Sequence, residues 1–253
     1  MSAQMMERGR SDLKADLFIG VVVVSGVAVV ASSLRHIFTD GLEARHLAWL
    51  GIAALTLLIG RLSVKLPFPN CRVSFSDALI FLSVLVYGGD FGTLTAALDG
   101  FASSTRQNGT AHKKAFNTAG MALSVHLSAW VFARLLPDGA SSGHGLSPAD
   151  LLLPVTALAL SQYVLNTALV ATAVALKDHA SFLATWLEAS PWAAAAYVAG
   201  SLAAAAVFLA VRDLGVLLAF AVLPFPFLLH LTYRACLGRL LRQKQTAPLQ
   251  AHR

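Results

Sequence analysis

LLLPVTALALSQYVLNTALVATAVAL, residues Leu151–Leu176, is apolar over a length sufficient to cross a lipid bilayer. About 20 predominantly apolar residues span the hydrocarbon core as a helix, and a longer segment spans it with tilt. Other apolar segments lie on both sides of this one along the chain. They are Leu17–Ser33, Leu47–Leu62, Val73–Tyr87, Phe91–Ser104, Ala115–Leu135, Trp192–Val211 and Leu214–Leu231. The sequence therefore predicts an all-α protein, a polytopic transmembrane helical bundle of about eight membrane segments.

The composition is typical of a membrane protein and argues against a soluble domain. Hydrophobic residues make up 57% of the chain and charged residues 13%, whereas a soluble domain averages roughly 25% charged residues. We expect a cytoplasmic tail at 1–16, a transmembrane domain at 17–233 and a basic cytoplasmic tail at 234–253. The net charge of +6 is spread over separate segments. This distribution argues against nucleic acid as a partner and favours contact with membrane lipids.

Lysine and arginine are distributed unequally between the two sides of the predicted bundle. When the connections between apolar segments are assigned alternately to the two sides, one side holds only Arg35, Arg45, Arg134 and Arg212. The other side holds the remaining basic residues, which are Arg8, Arg10, Lys14, Arg61, Lys65, Arg72, Arg106, Lys113, Lys114, Lys177, Arg234, Arg239, Arg242, Lys244 and Arg253. Basic residues stay on the cytoplasmic side during insertion, so we expect both termini in the cytoplasm.

Two of the apolar segments are short and are separated by a glycine-rich turn. The glycines of Gly88–Gly92 break helices and predict that Val73–Tyr87 and Phe91–Ser104 form a hairpin. This hairpin either spans the membrane or enters and leaves it on one side, and the sequence leaves both arrangements open. Ser190–Pro191 predicts a second break, between the amphipathic turn Ser181–Glu188 and the apolar helix that follows.

Charged side chains inside the apolar segments are costly and require an explanation. Asp77 follows Ser74 by three residues, a spacing that favours helix capping, with a position facing a cavity as the alternative. Asp99 lies seven residues before Arg106, so the two side chains share one helix face and can form an internal pair. The alternative for Asp99 is a contact with a cationic or hydroxylated ligand.

Amide side chains supply further polar groups to the predicted membrane domain. Asn117 and Asn166 either join helices through hydrogen bonds or line a wet cavity, together with Gln162 one turn before Asn166. We expect a ligand-binding site where the short hairpin meets the two asparagine helices, because mixed polar groups in an apolar wall orient small molecules. The predicted site residues are Asp77, Asp99, Arg106, Asn117, Gln162 and Asn166.

A basic loop leads into the helix that carries Asn117. Its Lys113 and Lys114 are expected to contact lipid headgroups or another anion. The sequence contains no metal-ligand spacing, phosphate-binding loop or catalytic motif. We therefore expect no enzyme activity, no metal site and no cofactor.

Several short motifs resemble a family of bacterial N-terminal membrane domains that precede HD-GYP or GGDEF cyclic-di-GMP output domains. The motifs are RLSVKLP at 61–67, VSFSDALIF at 73–81, YGGDFG at 87–92, AFN at 115–117, YVLNT at 163–167 and LPFP at 223–226. The resemblance covers roughly Arg61 to Arg239. It implies a sensory role for the membrane domain.

The resemblance implies an integral module of the bacterial inner membrane that senses or binds a small-molecule ligand. Because no output domain follows Arg239 in this sequence, we expect the module to signal through a separate cytoplasmic or membrane partner. One alternative is the substrate-capture subunit of a small-molecule transporter, since the Ser-Asp helix start and the Gly-rich hairpin also resemble energy-coupling-factor substrate-binding subunits. Another alternative is an accessory structural subunit of a membrane complex.

Overall fold

The computed structural model describes seven α-helices within residues 2–39, 41, 44–62, 64–65, 72–73, 76–137 and 146–214. The helices are α1 (Ser2–Thr39), α2 (Ala44–Ile59), α3 (Ser76–Tyr87), α4 (Gly89–Arg106), α5 (Ala111–Leu135), α6 (Pro148–Asp178) and α7 (Phe182–Leu214). A short 3-10 turn, Gly60–Leu62, follows α2. Two strands of two residues each, β1 (Val64–Lys65) and β2 (Arg72–Val73), pair in antiparallel fashion. The predicted all-α architecture is thus confirmed for the described residues.

Each of the first seven apolar segments lies mainly within one helix, and the remaining boundaries differ from the prediction in two places. Residues 2–16, predicted as a separate tail, are continuous with the rest of α1. Helix α7 runs through Pro191 without the predicted break. Apart from Leu214 itself, the segment Leu214–Leu231 and the tail 234–253 lie outside the described residues.

Two of the described helices are long and apolar enough to cross a membrane. They are Leu13–Thr39 within α1 and Pro148–Asp178, which is α6. The helices at Leu47–Ile59, Ser76–Tyr87 and Tyr197–Arg212 are apolar but shorter. At about 1.5 Å per residue, the 12 residues of α3 extend only about 18 Å, whereas the hydrocarbon core is about 30 Å thick. Helix α3 alone therefore does not reach across a bilayer.

The start of α6 is fixed by local hydrogen bonds. The Ser147 hydroxyl accepts from the backbone N–H of Asp150 at 3.2 Å, and the Asp150 carboxylate accepts from the backbone N–H of Ser147 at 2.8 Å. Pro148 takes the first helical position, where its missing N–H costs nothing. This capping box begins the helix sharply after the preceding loop.

Helices α3 and α4 form the predicted short hairpin around a single joining residue. Gly88 has φ of +94°, a conformation that glycine adopts without steric cost. A Cβ on Gly92 would overlap the Val84 side chain, so the two helices approach closely near the turn. Farther from the turn, Thr95 lies 3.2 Å from Ser83. These pairings show that the two helices run antiparallel.

Glycine also allows close contact between other helices. A Cβ on Gly26 of α1 would lie 2.5 Å from the backbone Cα and O of Ala119 in α5. A Cβ on Gly100 of α4 would lie 2.6 Å from the carbonyl oxygen of Asn117, also in α5. Small residues at such points let helix backbones pack together in membrane proteins. Helix α5 therefore packs closely against both α1 and α4.

Apolar side chains cover the outside of the bundle as well as its interior. The core contains Ile80, Phe81, Val125 and Leu158, each at most 1% exposed. Exposed apolar residues recur along α1 and α6 at spacings of mostly three or four, namely Leu13, Leu17, Val21, Val24, Val27, Leu34, Phe38, Leu152, Leu153, Leu160, Val164, Val170 and Val174. Water-soluble monomers rarely expose continuous apolar surfaces of this kind.

Candidate functional site

A polar cavity lies within the compact unit Met1–Leu209, at the end of the bundle where α2 ends and α3 begins. Its volume is about 350 Å³, within the range of small-molecule sites. It is lined by residues of the 3-10 turn and of five helices: Gly60, Arg61, Ser76, Asp77, Asp99, Ser103, Arg106, Gln107, Met121, Asn166 and Tyr197. The lining therefore combines two carboxylates, two guanidinium groups and several neutral polar side chains.

Four of the six predicted site residues lie together around this cavity. Asp77, Asp99, Arg106 and Asn166 come from α3, α4 and α6 and all contribute to its wall. The other two, Asn117 and Gln162, are not among the lining residues.

Asp99 is held by a hydroxyl and a guanidinium group. Its Oδ2 accepts a hydrogen bond from the Ser76 hydroxyl at 3.0 Å. Arg106 Nη2 lies 3.7 Å from Asp99 Oδ1, which confirms the pairing predicted from their spacing. Arg106 also donates from Nη1 to the carbonyl oxygen of Leu57 at 3.4 Å. The Asp99 side chain is 8% exposed and that of Arg106 is 27% exposed, so the carboxylate depends more strongly on the pair than the guanidinium does.

Gly60 leaves the space in which Asp99 and Arg106 meet. A Cβ at this position would lie 2.7 Å from Arg106 Nη2 and 3.0 Å from Asp99 Oδ1. That Oδ1 atom is buried and accepts no hydrogen bond within 3.5 Å from the residues that the structure describes. A side chain at position 60 would therefore collide with the ion pair, whose nearest atoms, Arg106 Nη2 and Asp99 Oδ1, are 3.7 Å apart.

Replacing Gly60 with alanine is expected to lower stability by about 1 kcal/mol, because the added methyl group pushes the Arg106 guanidinium away from Asp99. The matched control is Gly51→Ala in α2, where a Cβ would meet nothing within 4 Å. Thermal unfolding of the purified variants compares the two. Equal melting temperatures for the two variants would show that the space at Gly60 is not needed by the ion pair.

Asn166 contributes an amide whose orientation is set by a tyrosine on another helix. Asn166 Nδ2 donates to the Tyr197 hydroxyl at 2.7 Å. Tyr197 is 6% exposed, and its ring lies 6.3 Å from that of Phe81 and 6.1 Å from that of Tyr163. The Asn166 carbonyl oxygen and the Tyr197 hydroxyl proton remain for other partners.

Asp77 and Arg61 are the charged lining residues without an internal partner. Neither forms a hydrogen bond or an ion pair with any residue in the described ranges. Asp77 is half-buried in the first turn of α3, and Arg61 is exposed in the 3-10 turn. Ser74, the expected capping partner of Asp77, lies outside the described residues. Both charges are thus available to a molecule in the cavity.

The two remaining predicted site residues join helices. Asn117 Nδ2 donates to the Ser104 hydroxyl at 2.7 Å and so connects α5 to α4. Gln162 is 1% exposed, and its Oε1 accepts from Ser128 of α5 at 3.4 Å. Its Nε2 has no partner in the described part of the chain. These contacts match the helix-joining alternative for amide side chains in membrane bundles.

Lys113 and Lys114 lie in the first turn of α5 and do not line the cavity. The Thr110 hydroxyl caps this helix by accepting from the backbone N–H of Lys113 at 3.5 Å. Lys113 is exposed and Lys114 is half-buried. Their expected contact with lipid or another anion stays a prediction.

Sequence reasoning did not select Tyr197, Arg61 or Gly60 for the site. Tyr197 lies in an Ala-rich stretch of α7 in which no neighbouring polar residue suggests a cavity. Arg61 was assigned to the predicted cytoplasmic side as part of the charge distribution. The sequence feature that could have identified Tyr197 is its hydroxyl group within an apolar helix, because a buried tyrosine usually has a hydrogen-bond partner.

No cluster of three or more His, Cys, Asp or Glu side chains that could hold a metal ion occurs among the residues that the structure describes. Comparison of the chain with protein-family models, curated proteins and solved structures finds no match. Function must therefore be inferred from the cavity itself.

Proposed function

We propose that this protein is a multi-pass membrane module that binds a small molecule in the cavity between α3, α4, α6 and α7. In this proposal the module lies in the bacterial inner membrane and senses its ligand for a separate signalling partner. The observation that carries the proposal is the placement of Asp77 and Arg61 on the wall of one cavity, where neither side chain forms a hydrogen bond or an ion pair with a described residue. A carboxyl group within an apolar bundle, such as that of Asp77, is costly to retain without a function.

The apolar outer surface supports a membrane location, and the polar cavity supports ligand binding. Exposed apolar side chains along α1 and α6 suit a lipid environment, whereas polar lining residues gather at one end of the bundle. A few converging polar groups in an otherwise apolar protein fix the orientation of a bound small molecule. Asp99 and Arg106 form internal contacts with each other and with Ser76, so they are less available to a ligand than Asp77 and Arg61.

Asp77→Asn is expected to abolish ligand-induced stabilisation without changing the stability of the ligand-free protein. The substitution keeps the side-chain size and replaces a carboxyl group that forms no hydrogen bond or ion pair with the described residues. A ligand at a hundredfold excess over its Kd stabilises a protein by about 2.7 kcal/mol, or roughly 5–11 °C for a chain of this size. The measurement is the melting temperature of the detergent-solubilised chain with fractions of a bacterial metabolite extract.

Asp178→Asn is the matched control for this experiment, since Asp178 is exposed at the end of α6 and outside the cavity. The control should respond to extract as the wild type does. An Asp77→Asn variant that retains the full gain would contradict ligand binding at this cavity, as would a wild-type chain that gains no stability from any fraction or from a membrane lipid.

Reporter fusions test the proposed membrane topology, in which both termini are cytoplasmic. Fusions at Gly41 and Gly139 are expected to report an external location, and a fusion at the C-terminus an internal one. The physical basis is the retention of basic loops in the cytoplasm. A cytoplasmic signal from the Gly139 fusion would rule out the arrangement.

Co-purification distinguishes a sensor from the other interpretations of the same cavity. Cyclic-di-GMP enzymes recovered in stoichiometric amounts would support sensing. An ATPase pair would instead identify a transporter subunit, and a large membrane assembly would identify a structural subunit.

A further inference from the structure

The four Asp and Arg side chains on the cavity wall fall into two groups. Asp99 and Arg106 pair with each other, whereas Asp77 and Arg61 have no such partner among the described residues. Asp99 and Arg106 lie 3.7 Å apart and are further held by Ser76 and by the Leu57 carbonyl oxygen. Their charges compensate each other within the protein. Asp77 and Arg61 form no hydrogen bond or ion pair with the described residues, so the wall presents one carboxyl group and one guanidinium group that are open to a ligand.

The neutral polar groups of the cavity provide both a hydrogen-bond acceptor and a hydrogen-bond donor for a ligand. Asn166 uses its Nδ2 to donate to Tyr197, which leaves the Asn166 carbonyl oxygen free to accept a hydrogen bond from a ligand cation. The same contact occupies the Tyr197 oxygen as an acceptor and leaves its proton free to donate to a further partner. The cavity therefore offers one neutral acceptor and one neutral donor in addition to the Asp77 carboxyl group and the Arg61 guanidinium group.

We infer that the cavity binds a small zwitterion, with its ammonium group toward Asp77 and its carboxylate or phosphate group toward Arg61. This inference rests on the proposed function and specifies the class of ligand. Charge-assisted hydrogen bonds are stronger than neutral ones, and a zwitterion forms them at both open charges. A purely anionic ligand would be repelled by Asp77, and a purely cationic ligand would leave Arg61 unused.

The cavity volume restricts the size of the zwitterion. About 350 Å³ lies near the lower end of the range for small-molecule sites. A free amino acid or a phosphoethanolamine group fits this size. The same chemistry occurs in the headgroup of phosphatidylethanolamine, so the ligand has two sources, a solute or a membrane lipid.

The test measures melting temperatures of the full chain in a non-ionic detergent with a defined set of probes. The probes are the proteinogenic amino acids and phosphoethanolamine, each beside an N-acetyl derivative and, for the amino acids, a carboxamide derivative. At least one zwitterion is expected to stabilise the wild type saturably, while its singly charged derivatives bind at least tenfold more weakly. Asp77→Asn and Arg61→Gln should each weaken binding of that zwitterion at least tenfold, whereas Arg134→Gln, which lies outside the cavity, should not.

Nanodiscs distinguish the two sources of the zwitterion. Stabilisation by phosphatidylethanolamine nanodiscs but not phosphatidylglycerol nanodiscs, without any effect of the soluble probes, would identify a lipid headgroup, provided Asp77→Asn abolishes it. A response to soluble probes would identify a solute.

Two outcomes would overturn the inference and are distinguishable from each other. If singly charged or uncharged compounds bind as tightly as any zwitterion and lose binding in Asp77→Asn, the zwitterion is excluded while ligand binding at the cavity stands. If neither these probes and nanodiscs nor the metabolite fractions stabilise the chain in an Asp77-dependent manner, the zwitterion and the proposed binding function fail together.

Discussion

Gly26→Ala is expected to lower the melting temperature of the purified chain by roughly 6–12 °C, which corresponds to about 3 kcal/mol. The added Cβ would lie 2.5 Å from the backbone Cα and O of Ala119. Backbone atoms in a packed helix cannot rotate away, so α1 and α5 must move apart. The loss should therefore reach the upper part of the range for overpacked interiors.

Gly20→Ala is the matched control in the same helix, because a Cβ at Gly20 would meet nothing within 4 Å. This variant should melt at or slightly above the wild-type temperature, since alanine favours a helix more than glycine does. Thermal unfolding in one detergent compares the variants. If Gly26→Ala and Gly20→Ala have the same melting temperature, the close contact between α1 and α5 is not present in the purified protein.

Arg106→Gln is expected to destabilise the chain by about 3 kcal/mol, because it leaves the buried Asp99 carboxylate without its cation. Asp99→Asn should cost less. The Arg106 side chain is 27% exposed, compared with 8% for Asp99, so an unpaired guanidinium can turn toward water or headgroups. The asymmetry between the two single variants follows from this difference in exposure.

The double variant Asp99→Asn/Arg106→Gln measures the pair itself. It should be more stable than Arg106→Gln alone, because no buried charge is then left unpaired. Melting temperatures of the two single variants, the double variant and the wild type complete the cycle. Additive losses would mean that Asp99 and Arg106 do not interact, contrary to the observed geometry.

Features that depend on residues close together along the chain could be predicted from the sequence. The pairing of Asp99 with Arg106 follows from helical periodicity, which places residues seven apart on one face. The glycine-rich turn at Gly88 likewise predicts the α3–α4 hairpin from local chemistry. Both depend on neighbours along the chain, and both are present in the structure.

Side-chain contacts between helices could not be predicted from the sequence in the same way. The partner of Asn166 is Tyr197, on the next helix, and no spacing rule predicts which side chains meet there. Asn117 and Gln162 resemble Asn166 in chemistry, yet their amides join neighbouring helices away from the cavity wall. Whether a buried amide faces a neighbour or a cavity is decided by helix rotation and packing, which one sequence does not specify.

Pro191 in α7 shows that a residue that usually breaks helices does not always do so. Ser190–Pro191 predicted a break, whereas the helix continues from Phe182 to Leu214. A proline removes one backbone hydrogen bond, but neighbouring turns and helices can compensate for it inside a packed bundle. Apolarity alone does not establish a membrane span, because an apolar helix such as α3, with 12 residues, is shorter than the thickness of the hydrocarbon core.

Native mass spectrometry of the detergent-solubilised full chain tests most directly whether the polar cavity holds a small molecule. We predict an adduct of small-molecule mass on the wild type and on Arg134→Gln, and its loss from Asp77→Asn. The free carboxylate of Asp77 on the cavity wall is the reason for the expected loss. An adduct of equal occupancy on Asp77→Asn, or a wild-type chain that carries neither a small-molecule adduct nor a lipid adduct that depends on Asp77, would contradict ligand binding in the cavity.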